Sequence, residues 1–378
     1  MSTPPVIVII PSRPLDTQRP VLGASFTERA AVTIARYYGV ATVYAPHLPS
    51  SSRFRGIAIE SALPTVTDTV ILADPLLLFD GPFLRNLTVN FDPPVVACDP
   101  STLEPIGFAR LRAADLSDDF FDDPWPRLRE FTDRRQDTRV AVIAARYFAV
   151  RAVADLAAAE QYLLRSLVHK GDDIVERNLT RPISRFLTSW TANYRVSPDL
   201  WTLLAMLLGI TAALFPLLTG SLEGIISPLL LCAAAVISAV DGETARLTFR
   251  TSRQGGILNY YSSRIVVWAY FLTVTLLSRD IPWAYFPGIA FSLLYPLLVI
   301  RYDRYRHRAE TPGGPVRRIE RAIRRHFSIH TVALMAILCA IAGILPVAAR
   351  AALPLAAAGA MLVLYEAIAG KLERRKRP

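Results

Sequence analysis

The sequence predicts an α/β N-terminal domain with a mainly parallel sheet, followed by a six-helix all-α transmembrane domain. Three observations lead to this prediction. The chain has 378 residues, which is enough for two domains, and 52% of them are hydrophobic. Most acidic residues precede position 200, in a region where short apolar runs alternate with helical patterns. The remainder consists of long apolar runs separated by arginine clusters, which is typical of an integral membrane protein.

The predicted N-terminal sheet is built from short apolar runs bounded by turn residues. A predicted helix over 26–39 connects the first two runs, and alternation of strands with helices favours a doubly wound sheet. The first run is too short for a signal peptide and no basic residues precede it, so we expect this domain to stay where it is made. The predicted strands are "VIVII" (6–10), "VATVYAP" (40–46), "TVTDTVILAD" (65–74) and "PPVVACD" (93–99).

Six apolar stretches of about 18 to 22 residues have the length that a bilayer core requires. Arginine-rich connections follow spans two and four, and the basic tail "KLERRKRP" follows span six. The other connections are poor in Lys and Arg. The positive-inside rule therefore predicts a multi-pass protein of the cytoplasmic (inner) membrane with both termini in the cytoplasm. The predicted spans are 201–219, 222–241, 256–277, 281–300, 327–347 and 350–370.

The predicted domain order places a connector between the two main parts of the chain. Two stretches, 177–190 and 316–327, have an apolar face and are predicted to lie along the headgroup plane. For the second stretch, lipid-headgroup binding and a plain positive-inside anchor remain alternatives. The predicted segments are a cytoplasmic domain over 1–155, a connector over 156–199, a six-span domain over 200–372 and a basic tail over 373–378. The apolar face of the first stretch consists of Leu179, Ile183, Phe186, Leu187 and Trp190.

Charge and cysteine content exclude two classes of function. The formal net charge is +10, but the basic clusters lie beside predicted spans, so we expect contact with membrane lipids and no nucleic-acid partner. The three cysteines, Cys98, Cys232 and Cys339, form no CxxC pair. The sequence therefore predicts neither a disulfide framework nor a zinc site.

One polar motif stands out where predicted span two ends. Asp241 is an ionisable residue at the membrane interface, and such residues are functional candidates. Ser238 lies three residues earlier on the same helix, and positions 255, 259 and 263 follow at steps of four on the next helix. Two such faces turned toward each other would form one polar cup, defined by Ser238, Asp241, Gly255, Asn259 and Ser263. Gly242 and Gly255 would leave room for close approach or for a nucleotide.

This spacing resembles the signature of the CDP-alcohol phosphotransferase family, D-x2-D-G-x2-A-R-x8-G-x3-D-x3-D. The stretch "RVSPDLWTLLAMLLGI" (195–210) also resembles the family's T-P-N-x-x-T segment before its first span. The resemblance implies a six-span fold, a site that faces the cytoplasm and a CDP-linked substrate. The matching positions are Ser238, Asp241, Gly242, Ala245, Arg246, Gly255, Asn259 and Ser263.

The resemblance also implies roles for these residues. In the family four aspartates hold two divalent metals, Mg or Mn, and the last aspartate is the general base. Here Asp241 is the one carboxylate, Ser238 and Asn259 are weak metal candidates, and Ser263 stands at the base position. One carboxylate does not balance two dications. Three alternatives follow: altered transfer, a retained scaffold without catalysis (a pseudoenzyme), or a one-metal or metal-free nucleotide site. The implied nucleotide-binding or phosphate-binding residues are Asp241, Gly242, Ala245, Arg246 and Gly255.

The N-terminal part resembles sugar-nucleotidyltransferases. The stretch "RPVLGASFTERAAVTIARYYGVATVYA" (19–45) is similar to the segment around their first long helix, and "VILADPLLLFD" (70–80) to their acidic strand end. The resemblance implies that Asp74 is a metal position, with an ordinary turn residue as the alternative. The family's glycine-rich phosphate loop is replaced by "IPSRPLDTQRP", so triphosphate binding in the usual way is not expected.

The order of the two parts resembles the bifunctional CTP:inositol-1-phosphate cytidylyltransferase and di-myo-inositol phosphate phosphate synthase fusions. The connector, 157–187, adds to this resemblance with a Gly171-Asp172-Asp173 turn. Arg181 is predicted to bind phosphate, with snorkelling at the interface as the alternative. We expect a membrane protein of phospholipid or inositol-phosphate type metabolism that transfers or binds a CDP-alcohol or phosphoalcohol. The alternative is a silent subunit of an active membrane transferase; a homodimer or a partner membrane enzyme is expected as partner.

Overall fold

A computed structural model of the chain describes residues 4–64, 66, 68–117, 119–142, 147–167, 174–194, 196–306 and 328–375. The chain divides into two compact units. Unit 1 consists of Met1–Leu167, Ala192–Arg195 and Arg246–Arg250. Unit 2 consists of Val168–Thr191, Val196–Ala245 and Thr251–Pro378. The second predicted amphipathic stretch, 316–327, and the Gly171-Asp172-Asp173 turn lie outside the described residues.

Unit 1 is built on an eight-stranded sheet with the order β11-β9-β10-β7-β1-β4-β6-β5. The sheet is mixed: of the seven pairings between its described strands, four are parallel and three are antiparallel. The long strand β10, which the sequence analysis missed, pairs antiparallel with both β7 and β9. The strands are β1 (Val6–Ile9), β2 (Pro20–Val21), β3 (Ala24–Ser25), β4 (Thr42–Tyr44), β5 (Ser52–Phe54), β6 (Ile57–Glu60), β7 (Thr69–Ala73), β8 (Leu77–Phe79), β9 (Val95–Cys98), β10 (Pro105–Arg112), β11 (Arg139–Ala141) and β12 (Tyr147–Ala149).

Each predicted strand of unit 1 is present in shorter form, and the first predicted helix is confirmed as α1 (Phe26–Tyr38). Ser25 and Glu28 form a reciprocal capping box at its start, and Gly39 ends it in the left-handed conformation. Its buried alanines and Ile34 pack on the central strands in the main core. The other helices of this unit are α2 (Gly81–Val89), α3 (Pro124–Arg134) and α4 (Leu156–Ser166).

Unit 2 is helical, and a helix occurs at each of the six predicted spans. By length and composition, two of the helices in the described ranges, Pro198–Thr219 and Ile226–Leu247, could cross a membrane. Two further apolar helical segments of the described ranges, Ile329–Ile341 and Leu345–Met361, are shorter. The helices are α5 (Arg181–Thr191), α6 (Pro198–Thr219), α7 (Ile226–Leu247), α8 (Arg253–Leu276), α9 (Pro282–Arg306), α10 (Ile329–Ile341) and α11 (Leu345–Arg375).

Helices α6 and α8 pack closely at a glycine. A Cβ atom on Gly209 would lie 2.5 Å from Cγ2 and 2.6 Å from Cγ1 of Val266. We therefore expect Gly209→Ala to lower the free energy of unfolding by about 1–3 kcal/mol, since overpacking forces side chains off their rotamers. Thermal unfolding measures this effect.

Two variants test the cause of that loss. Val266→Ala in the Gly209→Ala background should restore part of the stability, because it removes the opposing methyl groups. Gly256→Ala is the matched control, since no heavy atom lies within 4 Å of its added Cβ. Equal destabilisation by Gly209→Ala and Gly256→Ala would contradict the proposed close contact.

Candidate functional site

The polar cup of unit 2 is held by hydrogen bonds, one of which joins two of its own members. Asp241 is buried on α7 and accepts a hydrogen bond of 2.6 Å from Oγ1 of Thr202 on α6. Ser238 on α7 donates to Oδ1 of Asn259 on α8 at 3.0 Å. The structure thus joins α7 and α8 through Ser238 and Asn259, and it adds Thr202 of α6 as the partner of Asp241.

The remaining residues of the cup, Gly255 and Ser263, form hydrogen bonds within α8 or with the residue that caps it. Ser263 donates to the carbonyl oxygen of Tyr260 at 3.0 Å, so its hydroxyl is engaged within its own helix. Ser252 caps α8 by accepting from the amide of Gly255 at 2.8 Å. A Cβ on Gly255 would lie 3.2 Å from Oδ1 of Asp199, which explains why a small residue suits this position.

Two polar residues at this site were not singled out from the sequence. Thr202 holds Asp241, and the exposed Asp199 brings a second carboxylate to the start of α8. Both residues belong to the "SPDLWT" stretch, whose resemblance to T-P-N-x-x-T was the available signal. That resemblance marked the segment but did not reveal which partner each side chain would take.

The donor set does not suit a pair of divalent cations. Hard cations take several charged oxygens, whereas the cup offers the Asp241 carboxylate and the neutral oxygens of Ser238 and Asn259, with the exposed Asp199 carboxylate at the start of α8. Among the described residues, no group of three or more His, Cys, Asp or Glu side chains is placed to hold a metal ion. The chemistry of these side chains therefore supports polar binding better than two-metal catalysis.

Arg181, a predicted phosphate ligand, lies in a buried ionic cluster of unit 2. It contacts Glu243 of α7 at 3.0 Å and Glu176 at 2.7 Å. Glu243 also accepts hydrogen bonds from Ser184 at 2.8 Å and Thr188 at 2.7 Å. The carboxylate of Glu243 is thus directed to α5.

Arg246, also a predicted phosphate ligand, belongs to unit 1 together with the next four residues. Within unit 1, Arg29 donates to the carbonyl of Leu247 at 2.9 Å, and Arg55 donates to that of Thr248 at 2.9 Å. Burial lowers the pKa of Arg29 to about 10, although neighbouring Glu28 opposes this shift. Arg29 and Arg246 line a cavity of about 230 Å³ in this unit.

A second cavity of unit 1, of about 320 Å³, contains the predicted metal position. It lies where β1, β7 and β9 end, an edge at which open α/β sheets bind ligands. Asp74 is buried there, accepts a hydrogen bond from Ser12 and accepts another from the amide of Leu76 at 2.9 Å. Gly107 faces it with a φ of +102°, and a Cβ there would lie 2.8 Å from that of Asp74.

The same cavity contains a carboxylate that the sequence analysis did not identify as a site residue. Asp99 accepts hydrogen bonds from Ser101 and, at 2.8 Å, from the hydroxyl of Tyr147. These bonds, those from Ser101 first, hold the pKa of Asp99 well below its ordinary value. Burial and the adjacent Asp99 raise the pKa of Tyr147 to about 12. The cavity therefore has an ionised acid at its edge beside a neutral phenol.

The buried carboxyl of Asp74 is expected to make the stability of the folded state depend on pH. Burial raises its pKa above 3.8, since desolvation outweighs the hydrogen bonds from Ser12 and Leu76. The folded state therefore binds this proton more tightly than the unfolded state. The resulting stability is complete below the ordinary pKa and is lost as the pH rises through the raised pKa. Amide protection of β7 in the wild type, relative to Asp74→Asn, should therefore fall as the pH rises above the ordinary carboxyl pKa.

Amide hydrogen exchange measures the ratio of β7 protection in the wild type to that in Asp74→Asn. Both proteins are compared at the same pH. Asp92→Asn, which changes an exposed carboxyl, serves as the matched control and should keep the wild-type dependence. A constant ratio between wild type and Asp74→Asn would show that the Asp74 carboxyl does not have a raised pKa.

Curated proteins resemble the chain over part of its length. The "Bifunctional IPC transferase and DIPP synthase" of Aquifex aeolicus (strain VF5) is 28% identical over 155 residues, which are 41% of this chain and 35% of that protein. The protein of the same name from Thermococcus kodakarensis is 30% identical over 151 residues, 40% of this chain and 33% of the relative. The protein of the same name from Archaeoglobus fulgidus is 25% identical over 140 residues, which are 37% of this chain and 26% of the relative.

The chain spans about a third of the length of the curated relatives it matches, or less. No protein-family model matches it. The matches support a resemblance to bifunctional transferases at low identity, in agreement with the resemblance found from the motifs.

Proposed function

We propose that this chain is a membrane relative of the CDP-alcohol phosphotransferases that binds a CDP-linked phosphoalcohol without two-metal transfer. The observation that carries the proposal is the hydrogen bond between Ser238 and Asn259. These residues occupy positions at which the family signature has aspartates. Here they bond directly to each other across α7 and α8, so helix contact there requires no bridging metal.

The chemistry of the remaining groups supports binding. Asp241 offers a carboxylate held in place by Thr202, and a fixed acceptor of this kind suits a ribose hydroxyl or a cytosine amino group. Arg246 supplies a guanidinium on the chain segment that follows, and guanidinium groups bind phosphate through paired donors. Ser263 is not a competent base, because its hydroxyl does not ionise near neutral pH and donates within α8.

The proposal includes placement of unit 2 in the cytoplasmic membrane as a multi-pass domain. Two helices, α6 and α7, have the length and composition for crossing, and leucines on α6 such as Leu203 and Leu207 are exposed. The basic clusters of the sequence fall in connections of one predicted side, which favours cytoplasmic termini. We propose a second copy of this chain or an active membrane transferase as the partner. In a complex with an active transferase, the chain would be a silent subunit.

The binding proposal is tested by thermal unfolding of the purified chain with CDP-inositol or CDP-diacylglycerol, each with magnesium or with a chelator. A ligand that binds only the folded state raises stability by about 2.7 kcal/mol at a hundred times its Kd. We expect one of the two ligands to stabilise the chain in chelator as well as in magnesium. Asp241→Ala should abolish the shift.

Asp280→Ala is the control, because this carboxyl is exposed on the connection between α8 and α9. It should keep the ligand-induced shift. Absence of a shift with both ligands, under both conditions, would reject the binding role and favour the silent subunit. A shift that requires magnesium would instead indicate a metal–nucleotide site.

A further inference from the structure

Helix α5 has the reverse of the burial expected for a helix on a water-soluble protein. Its polar side chains Ser184 and Thr188 are completely buried. Its large apolar side chains lie outside, with Phe186 60% and Trp190 69% exposed. A helix in water buries its apolar face, so this arrangement indicates that the outer face of α5 meets something other than water.

The buried face of α5 is fixed to α7 by one carboxylate. Glu243 has no exposed surface and receives hydrogen bonds from Arg181, Ser184 and Thr188, at 3.0, 2.8 and 2.7 Å. These three donors come from successive turns of α5, so Glu243 defines both the position and the rotation of that helix. It lies two residues after Asp241 on α7.

The exposed face has the composition of a helix at a bilayer interface. Phe186 and Trp190 lie with ring centroids 5.6 Å apart, and aromatic side chains concentrate at the headgroup level of membranes. Ile183 extends the same apolar surface, and the exposed Arg177 adds a cation near the start of the helix. Cations beside an apolar face favour anionic lipid headgroups.

We propose that α5 is seated in the headgroup region of an anionic bilayer and that Glu243 transmits this seating to the Asp241 turn of α7. Glu243 is accordingly a positioning residue, not a catalytic one. The proposal deepens the proposed function, because the turn it fixes carries the ligand carboxylate. Its test uses no CDP-linked ligand, so failure of ligand binding leaves this test unaffected.

The first experiment locates Trp190 relative to the lipid. The full chain is placed in nanodiscs that contain phosphatidylglycerol and lipids brominated at shallow or deep acyl positions. The Trp190 signal is the fluorescence of the wild type minus that of Trp190→Phe. We expect strong quenching by the shallow bromines and weak quenching by the deep bromines and by aqueous acrylamide.

Two other results would overturn the seating. Quenching by acrylamide alone would show that the face is exposed to water. Quenching by neither acrylamide nor bromine would show that protein, from a second copy or a partner, covers it.

The second experiment measures the coupling by amide hydrogen exchange over residues 241–247. In the wild type, phosphatidylglycerol should slow exchange relative to purely zwitterionic nanodiscs. Glu243→Gln keeps the shape of the side chain but removes its charge, and should raise exchange by about tenfold and abolish the lipid dependence. Glu223→Gln, on the exposed connection before α7, is the matched control and should behave as the wild type.

The coupling is supported if Glu243→Gln loses the lipid dependence of exchange while the wild type and Glu223→Gln keep it. Equal lipid dependence in Glu243→Gln and the wild type would overturn it, even if Trp190 is quenched by lipid. Absence of any lipid dependence in the wild type would overturn it as well.

Discussion

Replacement of Glu243 with alanine is expected to lower the free energy of unfolding of unit 2 by about 3–5 kcal/mol, the typical cost of breaking a buried ion pair. The substitution leaves buried Arg181 without its partner on α7 and removes the shared acceptor of Ser184 and Thr188. Thermal or denaturant unfolding in detergent, followed by circular dichroism of the helices, measures the change.

The matched control for that prediction is Glu223→Ala, which removes an exposed carboxylate from the same unit. We expect its effect to stay within about 0.5 kcal/mol, as for most exposed substitutions. The combined change Arg181→Met with Glu243→Leu should cost less than Glu243→Ala, since it removes both charges of the buried pair; Glu176 loses its contact with Arg181, but its side chain is 19% exposed and keeps access to water. Similar values for Glu223→Ala and Glu243→Ala would contradict the account of the cluster.

Restoration of three acids is expected to create a magnesium site at the polar cup. The triple variant Ser238→Asp, Asn259→Asp and Ser263→Asp has a carboxylate at all four aspartate positions of the family signature, because Asp241 already occupies one of them. Four carboxylates at one site repel one another, so in chelator this variant should unfold at a lower temperature than the wild type. Magnesium should then stabilise the variant, by about 2.7 kcal/mol at a hundred times its Kd.

Two comparisons make this result specific. Adding Asp241→Asn to the restored variant should weaken the magnesium response, because it removes one of the four ligands. The wild type should show no response. An equal response of wild type and restored variant would show that magnesium binding does not depend on the three added carboxylates, which contradicts the prediction.

Local features of the fold could be predicted because their causes are local. The limits of α1 follow from Ser25, Glu28 and Gly39, which act within one turn of each helix end. The spacing of the motif predicted that Ser238 and Asn259 face each other, and the structure joins them at 3.0 Å.

The unpredicted features depend on contacts between distant parts of the chain. Ser184 and Glu243 are 59 residues apart, and no periodicity in either helix specifies their pairing. Strand β10 was missed because "PIGFARLR" contains a glycine and two arginines, which obscure the alternation of a half-buried strand. Its insertion between β7 and β9 makes the sheet mixed.

The candidate site shows the same division. The position of Asp241 was identified from an ionisable residue beside an apolar helix, but its hydrogen bond from Thr202 depends on the packing of α6 against α7. Arg181 was predicted to bind phosphate from its place in the connector, with snorkelling at the interface as the alternative. Its engagement by Glu176 and Glu243 became apparent only from the three-dimensional arrangement.

The most direct test of the central claim is equilibrium binding of a CDP-linked phosphoalcohol with analysis of the recovered nucleotide. The purified chain is incubated with labelled CDP-inositol or CDP-diacylglycerol, an alcohol acceptor and either magnesium or a chelator. The account predicts that one ligand binds in chelator, that Asp241→Ala abolishes this binding, and that the nucleotide is recovered intact. Release of CMP with formation of a phosphodiester, dependent on magnesium and on Asp241, would contradict it.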